Sequence, residues 1–263
     1  MGWIHLSEGG QHSLQRYFVK QVLSTGEDVI LSQEDGHHLL TVMRSRIDDK
    51  IEIVDAQGKL WLTQVKEIHS KKDVSLDILS QIEADQVEMP LHVTIACGLS
   101  KNDKLEWIVQ KATELGMAAF QPLALSRDVV KWTANKSVDK QERLQKIADN
   151  AAQQSKRLCQ PAVLPLRTLN QLIDESQAFD VKLVAFEETA KQGQHAALKQ
   201  VLKQVNPQEK ILCVFGSEGG LEAKEVEKLL DNGFIACSLG PRILRAETAP
   251  LYMLSNLSYE VEL

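Results

Sequence analysis

Lys210-Ile211-Leu212-Cys213-Val214-Phe215-Gly216-Ser217-Glu218-Gly219-Gly220-Leu221 reads as a strand that runs into a glycine loop. The unbroken apolar run before Gly216 suits a strand covered on both faces. Three glycines in the next five residues let the backbone approach a ligand closely and take positive φ. No Gly-Lys-Ser/Thr follows, so this is not a phosphate loop. Ser217 comes directly after Gly216, so it is not a nucleophile elbow either. The Gly-x-Gly-x-x-Gly order of a dinucleotide fold is also missing. A tight strand-to-helix turn without a ligand is the competing reading of this segment taken alone.

Outward from this loop, strand and helix patterns alternate. Val93, Ile95 and Cys97 alternate as a strand. Leu105, Ile108, Val109, Ala112 and Leu115 follow helical spacing, with Gly116 placed as a C-cap. Ser100 and Asp103 before them resemble a capping box. Strands are expected near 120–125, 162–166, 182–186, 210–215 and 234–239. Helices are expected near 138–155, 169–175, 194–205 and 222–231, with a last one running to the C-terminus. Such alternation predicts an α/β domain with a parallel sheet covered on both faces. Ligands bind such sheets at the carboxyl ends of the strands. That rule points to the loops after Phe186, Phe215 and Leu239.

The chain before this region has another rhythm. From Arg16 to about Ile82 it reads as short strands, with a hairpin turn at Asp55-Ala56-Gln57-Gly58 and a second turn at Lys71-Lys72-Asp73. One helix is expected over 34–43. These features predict a small β-barrel-like domain at 15–82, an acidic linker ending in proline at 83–90, and an α/β domain at 91–263. Residues 1–14 are polar and Gly-rich, lack the apolar core of a signal peptide, and are left outside the fold.

The 263 residues are 43% hydrophobic and 25% charged, enough apolar material for a sizeable core. No run of about 18 apolar residues is present, which excludes a helical membrane span. Cys97, Cys213 and Cys237 lie in apolar runs and no cysteine pair has metal-ligand spacing, so buried thiols in a reducing cytoplasm are expected and no metal. The net charge of −6 counts against non-specific nucleic-acid binding, although a local basic patch would suffice for a specific face.

A second loop follows the strand expected at 234–239: Ser238-Leu239-Gly240-Pro241-Arg242-Ile243-Leu244-Arg245-Ala246-Glu247-Thr248-Ala249. Gly-Pro forces a turn, after which two arginines, a glutamate and a threonine crowd onto a helix start. Arg242 suits a solvated surface pair. Arg245 and Glu247 are stronger site candidates, because both glycine-bearing loops should end on the same sheet edge.

These loops join further stretches: Arg16-Tyr17-Phe18; His37-His38-Leu39 running to Val42-Met43-Arg44; Leu99-Ser100-Lys101 with Asp103-Lys104; and Trp107-Ile108-Val109-Gln110-Lys111-Ala112-Thr113-Glu114-Leu115-Gly116. Over essentially the whole chain from Gln15, the sequence resembles the RsmE family of SPOUT-class methyltransferases. The resemblance implies a PUA-like RNA-binding barrel, a knotted trefoil methyltransferase domain, a homodimer and a cytoplasmic place of action. It implies S-adenosylmethionine bound by Phe186 and Glu187, by Gly216, Ser217, Glu218, Gly219 and Gly220, and by Ser238, Leu239, Gly240, Ile243, Leu244 and Arg245. The reaction it implies is methylation at N3 of one uridine in 16S rRNA of the small ribosomal subunit. Three positions depart from the family pattern: Ser217 replaces a usual proline, Lys156 replaces the glycine of Glu-Gln-Ser-Gly-Arg, and Pro250 replaces alanine, so that the last helix should start late or bend.

The uridine N3 proton must leave before or during attack, which asks for a general base and for donors to the developing oxyanion. Arg245 is the expected stabiliser and Glu247 the candidate base, with Glu114 as rival. RNA contacts are expected from Arg16, Arg44, Arg46, Lys101, Arg127 and Arg157, and local charge also from Lys20, Lys104 and Lys131. Tyr17 and Phe18 could stack on a base, with Phe18 the better candidate to fill the barrel. His37 and His38, adjacent on a helix, suit packing or RNA contact rather than metal. Alternative readings are a SPOUT enzyme acting on another RNA, a non-catalytic RNA-binding assembly factor, and an α/β enzyme with a nucleotide cofactor.

Overall fold

The computed structural model describes residues 14–186 and 196–263. Two compact units are present, Met1–Val87 and Glu88–Leu263.

In the first unit, five strands form a sheet in the order β1-β3-β4-β5-β2: β1 Arg16–Phe18, β2 Asp28–Ile30, β3 Lys50–Val54, β4 Leu60–Ile68 and β5 Val74–Ile82. β1 runs parallel to β3, and the other pairs are antiparallel. The β3–β4 turn is organised by Asp55, which is buried. Its Oδ1 accepts from the Gln57 and Lys59 N–H groups at 2.8 and 3.0 Å. Its Oδ2 accepts from Trp61 Nε1 at 3.1 Å and from the Leu23 N–H at 3.4 Å. Burial alone would raise this carboxyl, but the four donors outweigh it and hold it below the usual carboxylate range.

Two expectations for this unit change. The helix expected over 34–43 divides into α1, Gln33–His37, and a π-helical turn, His38–Val42. The apolar spacing of Leu39, Val42 and Met43 carried no sign of the wider turn, and Val42 and Met43 are exposed. It is Tyr17 rather than Phe18 that fills the core: Tyr17 is fully buried, its hydroxyl 2.9 Å from His38 Nδ1, whereas Phe18 is half-buried. Tyr17 is thereby withdrawn from any stacking role, while His38 remains partly exposed beside His37.

The second unit is built on a parallel sheet in the order β12-β10-β11-β6-β7-β8, with β9 also pairing β7. Its strands are β6 His92–Gly98, β7 Ala119–Ala124, β8 Ala162–Val163, β9 Arg167–Thr168, β10 Val181–Ala185, β11 Lys210–Phe215 and β12 Ile235–Cys237. Its helices are α2 Lys104–Glu114, α3 Ala134–Gln154, α4 Leu169–Glu175, α5 Ala196–Leu202, α6 Ala223–Asp231 and α7 Ala249–Glu262. The pleat sends successive residues to opposite faces. Ile95, Cys97, Ile211 and Cys213 therefore join one core with residues of α2, α3, α5 and α7. Ala96, Leu212 and Val214 join a second core with Leu172 of α4 and Val226 and Leu229 of α6. The unbroken apolar run of β11 is thus explained by two separate cores.

Helix ends refine the sequence reading. Asp103 is the N-cap of α2 and makes no side-chain cap bond, so Ser100 does not cap this helix; it lies buried ahead of it. The other end closes as expected. Gly116 takes φ +88°, its N–H bonds to Thr113 O at 3.1 Å, and the Met117 N–H bonds to Ala112 O at 2.9 Å. Pro250 sits in the first turn of α7, where its missing N–H costs no helical bond. The strand expected at 162–166 is only two residues long as β8, with β9 following.

Candidate cofactor and substrate site

Three adjacent strands, β12, β10 and β11, end at Cys237, Ala185 and Phe215 on one edge of the sheet. Their following loops line one cavity of about 860 Å³. Phe186 comes from the first loop; Gly216, Ser217, Glu218, Gly219 and Gly220 come from the second; Ser238, Leu239, Gly240, Ile243, Leu244, Arg245 and Glu247 come from the third. The size falls within the roughly 300–1,000 Å³ usual for small-molecule sites. Glu187 lies outside the described residues. Arg242 also lines the cavity, rather than serving only as a surface charge, and Lys104 reaches in from α2.

The glycine loop is shaped by close approach. A Cβ on Gly216 would stand 2.7 Å from the Gly220 carbonyl carbon, and one on Gly98 would stand 2.6 Å from Ser217 N. Both contacts are with backbone, so no side chain fits at either position. The Gly220 N–H closes the turn on Ser217 O at 2.9 Å. In the third loop, the Ser238 hydroxyl accepts from the Gly240 N–H at 3.2 Å. The Arg245 carbonyl accepts from the Thr248 and Ala249 N–H groups at 2.9 and 3.0 Å, joining the loop to the start of α7.

Buried polar atoms normally have partners. Among the described residues, the buried side-chain atoms without a hydrogen bond are Asp128 Oδ1, Ser217 Oγ and Glu247 Oε2. Ser217 and Glu247 line the cavity, and Asp128 is tied to the strand ends behind it. Glu247 Oε2 stands 3.5 Å from Lys104 Nζ, an ion-pair distance without an aligned N–H. Asp128 Oδ2 accepts from the Leu125 N–H at 2.8 Å and the Leu99 N–H at 3.2 Å. Burial nevertheless pushes its carboxyl up.

Lys104 Nζ is also 3.0 Å from Glu218 Oε1, which in turn accepts from the Lys101 N–H at 3.1 Å. Partial burial alone would raise the Glu218 carboxyl. Its own backbone N–H, Lys104 and the Lys101 N–H outweigh burial and hold it below the usual range. The hydrogen bond to Glu218, with Glu247 behind it, holds the Lys104 ammonium above its ordinary value. Sequence reasoning had placed Lys104 only among local positive charges; the motif Leu99-Ser100-Lys101 with Asp103-Lys104 was its one available signal.

The expected RNA contacts divide. Arg44 and Arg46 in the first unit, and Lys101 and Arg127 in the second, are exposed. Arg127 lines the cavity and its Nη1 approaches Gly219 O at 3.5 Å. Arg16 and Arg157 are placed otherwise. Arg16 is buried, its Nε donating to Glu52 Oε2 at 2.9 Å across the β1–β3 pair. Arg157 is 4% exposed. It donates to Met117 O at 2.6 Å, Thr113 O at 3.2 Å and Glu88 Oε2 at 2.6 Å. Both guanidiniums are engaged by acceptors of the protein itself, which gives each a structural role. The rival base, Glu114, is paired with Lys111 at 2.8 Å.

The RNA methyltransferase domain family matches residues 87–258, and the RNA methyltransferase PUA domain family matches residues 31–79. The chain is 42% identical over 253 residues to ribosomal RNA small subunit methyltransferase E of Bacillus subtilis, covering 95% of this chain and 98% of that one. The chain belongs to the RsmE family. Its fold is accordingly a PUA domain followed by a SPOUT-type methyltransferase domain with a parallel sheet. The crystal structure of the Neisseria gonorrhoeae family member bound to S-adenosyl methionine superposes with a TM-score of 0.82 at 28% identity, over 94% of this chain and 97% of that one. A Legionella pneumophila methyltransferase in complex with the same cofactor gives 0.81 at 27% identity, over 94% and 97%. No described helix is long and apolar enough to cross a membrane.

Proposed function

We propose that this chain transfers a methyl group from S-adenosylmethionine to N3 of a uridine in 16S rRNA of the small ribosomal subunit. The observation that carries this reading is the cavity where three strand-end loops meet, with Arg245 and Glu247 both on its wall. Residues 15–82 serve as the RNA-binding domain and 91–263 as the transferase domain, joined by 83–90, of which Glu88 and Met89 already pack into the second unit, with the trefoil knot carried over from the resemblance.

The residues present fit such a cofactor. Backbone-lined loops at 216–220 and 238–240 offer N–H and C=O groups to an adenine, and Gly216 and Gly98 keep that wall thin. Glu247 Oε2, buried without a hydrogen bond, and Glu218 offer negative charge to a cationic ligand. S-adenosylmethionine supplies a methyl group already activated on a sulfonium, so positioning provides most of the rate. Phe186, Leu239 and Leu244 give the cavity an apolar stretch of wall. Glu247 takes the proton from uridine N3, and the Arg245 guanidinium donates to the uracil oxygen on which charge develops. Among the described residues no ion pair or hydrogen bond engages that guanidinium, which is exposed on the cavity wall where it can meet substrate.

Arg44, Arg46, Lys101 and Arg127 supply exposed charge for the RNA backbone. A homodimer acting in the cytoplasm completes the reading. Exposed Tyr252 and Tyr259 on α7 and Trp107 on α2 support self-association of the transferase domain.

The test is methyl transfer from labelled S-adenosylmethionine to small ribosomal subunits lacking the modification, followed by mass spectrometry of the digested rRNA. A single 3-methyluridine is expected. No incorporation into intact subunits overturns the reading, and a methyl group on another nucleotide or on ribose overturns the N3 assignment.

A further inference from the structure

We infer that Lys104 is a positioning residue for the transfer reaction, a cationic latch that joins the glycine loop to the turn bearing Glu247; the inference rests on the proposed methyl transfer. Lys104 is in the first turn of α2 and only partly exposed, its side chain at 30%. Its ammonium lies 3.0 Å from Glu218 on the loop after β11 and 3.5 Å from Glu247 on the turn before α7. Among the described residues no backbone hydrogen bond joins these two cavity walls directly. The wall at 216–220 is closed within itself by the Gly220–Ser217 bond, and the turn at 245–248 is closed on the Arg245 carbonyl.

The second anchor of the latch is the Lys101 N–H, which fixes the same Glu218 oxygen that Lys104 holds. The carboxylate of Glu218 is therefore locked by two donors from one short stretch of chain. Lys104 has donors to spare, since an ammonium carries three. Its contact with Glu247 is looser, a charge contact rather than an aligned hydrogen bond. That looseness suits a base: the nearby cation orients the carboxylate while leaving Oε2 without a hydrogen-bond donor. The other charged groups on the cavity wall are Arg127, Arg242 and Arg245, all exposed. Of the lysines and arginines lining the cavity, Lys104 is the one that is not exposed.

The test compares Lys104→Met and Lys104→Arg with the wild type. Cofactor binding is read by isothermal titration with S-adenosylmethionine, and kcat/KM is read against pH on unmodified subunits. Lys104→Met should weaken cofactor binding about tenfold, the size of a lost charge-assisted contact. It should also move the acid limb of the rate profile to higher pH, because a carboxylate that loses a neighbouring cation holds its proton longer. Lys104→Arg should restore both in large part. Thermal melts and circular dichroism of each variant separate misfolding from these effects. Cofactor binding within twofold of wild type, with an unmoved limb, overturns the latch. So does weakened binding that Lys104→Arg leaves unrestored while the limb stays in place, because Lys104 would then act only as a packing element. Absence of binding and transfer in the wild type instead overturns the functional reading itself.

Discussion

Asp55 and Glu247 both have carboxylates withdrawn from water, and their surroundings are opposite. Asp55 stitches a hairpin together: four donors converge on its two oxygens, and both are occupied. Glu247 stands on a cavity wall with Oε2 buried and no hydrogen bond, facing a lysine ammonium at 3.5 Å. A carboxylate satisfied on all sides stabilises a turn and has nothing left to offer. One left partly unsatisfied weakens the fold locally and keeps a lone pair for a proton or a cation. Arg157 and Arg245 repeat the contrast with the opposite charge. Arg157 is consumed by two carbonyls and a glutamate, whereas Arg245 is exposed on the cavity wall.

The sharpest way to break this comparison is a pair of isosteric changes. Glu247→Gln should lower kcat by about a hundredfold to ten-thousandfold, the usual worth of a general base. Its unfolding free energy should change by less than about 1 kcal/mol, because the amide sheds a partly buried charge while giving up the 3.5 Å contact with Lys104. A variant that keeps its rate but loses stability would place Glu247 with Asp55, as a fold element. On the satisfied side, Arg157→Met should cost about 3 kcal/mol of stability, because it takes the guanidinium from Glu88 and the side-chain donor from the Met117 carbonyl. Urea denaturation followed by circular dichroism measures that loss. Stability within 1 kcal/mol of wild type would show the interior network to be dispensable.

Asp55→Asn should cost somewhat less, about 1–3 kcal/mol, since the amide presents donors where donors already converge. The wild-type carboxyl has its pKa depressed on folding. Its contribution is therefore fully present above the unfolded value, near 3.9, and is lost as pH falls through the lower folded value. Stability against pH should show this acid loss in the wild type, and Asp55→Asn should flatten it. An unchanged acid slope in the variant would mean that other carboxylates carry it.

How much of this was legible in the sequence depends on distance along the chain. The strand at 210–215 and the helix at 169–175 were read from local pattern, because apolar runs and caps are local signals. The three cavity loops followed from the rule for strand ends in parallel sheets. The roles of Arg157 and Lys104 were not legible. Arg157 finds Glu88 69 positions earlier and Met117 40 positions earlier, and nothing in Ser155-Lys156-Arg157 announces an interior guanidinium. Lys104 gains its meaning from two glutamates on loops that meet it only after the sheet has formed. The π-turn at 38–42 was also hidden, since widening a helix by one residue leaves the apolar spacing nearly helical.

Lys156 supplies the smallest and most discriminating test. It holds φ +60°, a left-handed conformation that costs an L-residue roughly 1–2 kcal/mol and a glycine nothing. Glycine, which the resemblance leads one to expect here, would take this backbone geometry without strain. Lys156→Gly should relieve that strain while adding conformational freedom to the unfolded chain, for a net gain of about 1 kcal/mol or less. The residue lies next to Arg157, on the satisfied side of the molecule and outside the cavity lining. Denaturation midpoints should therefore rise slightly while kcat and cofactor affinity stay at wild-type values. A change in kcat would connect this segment to the transfer reaction and erase the boundary drawn here between the residues that hold the fold and those that act.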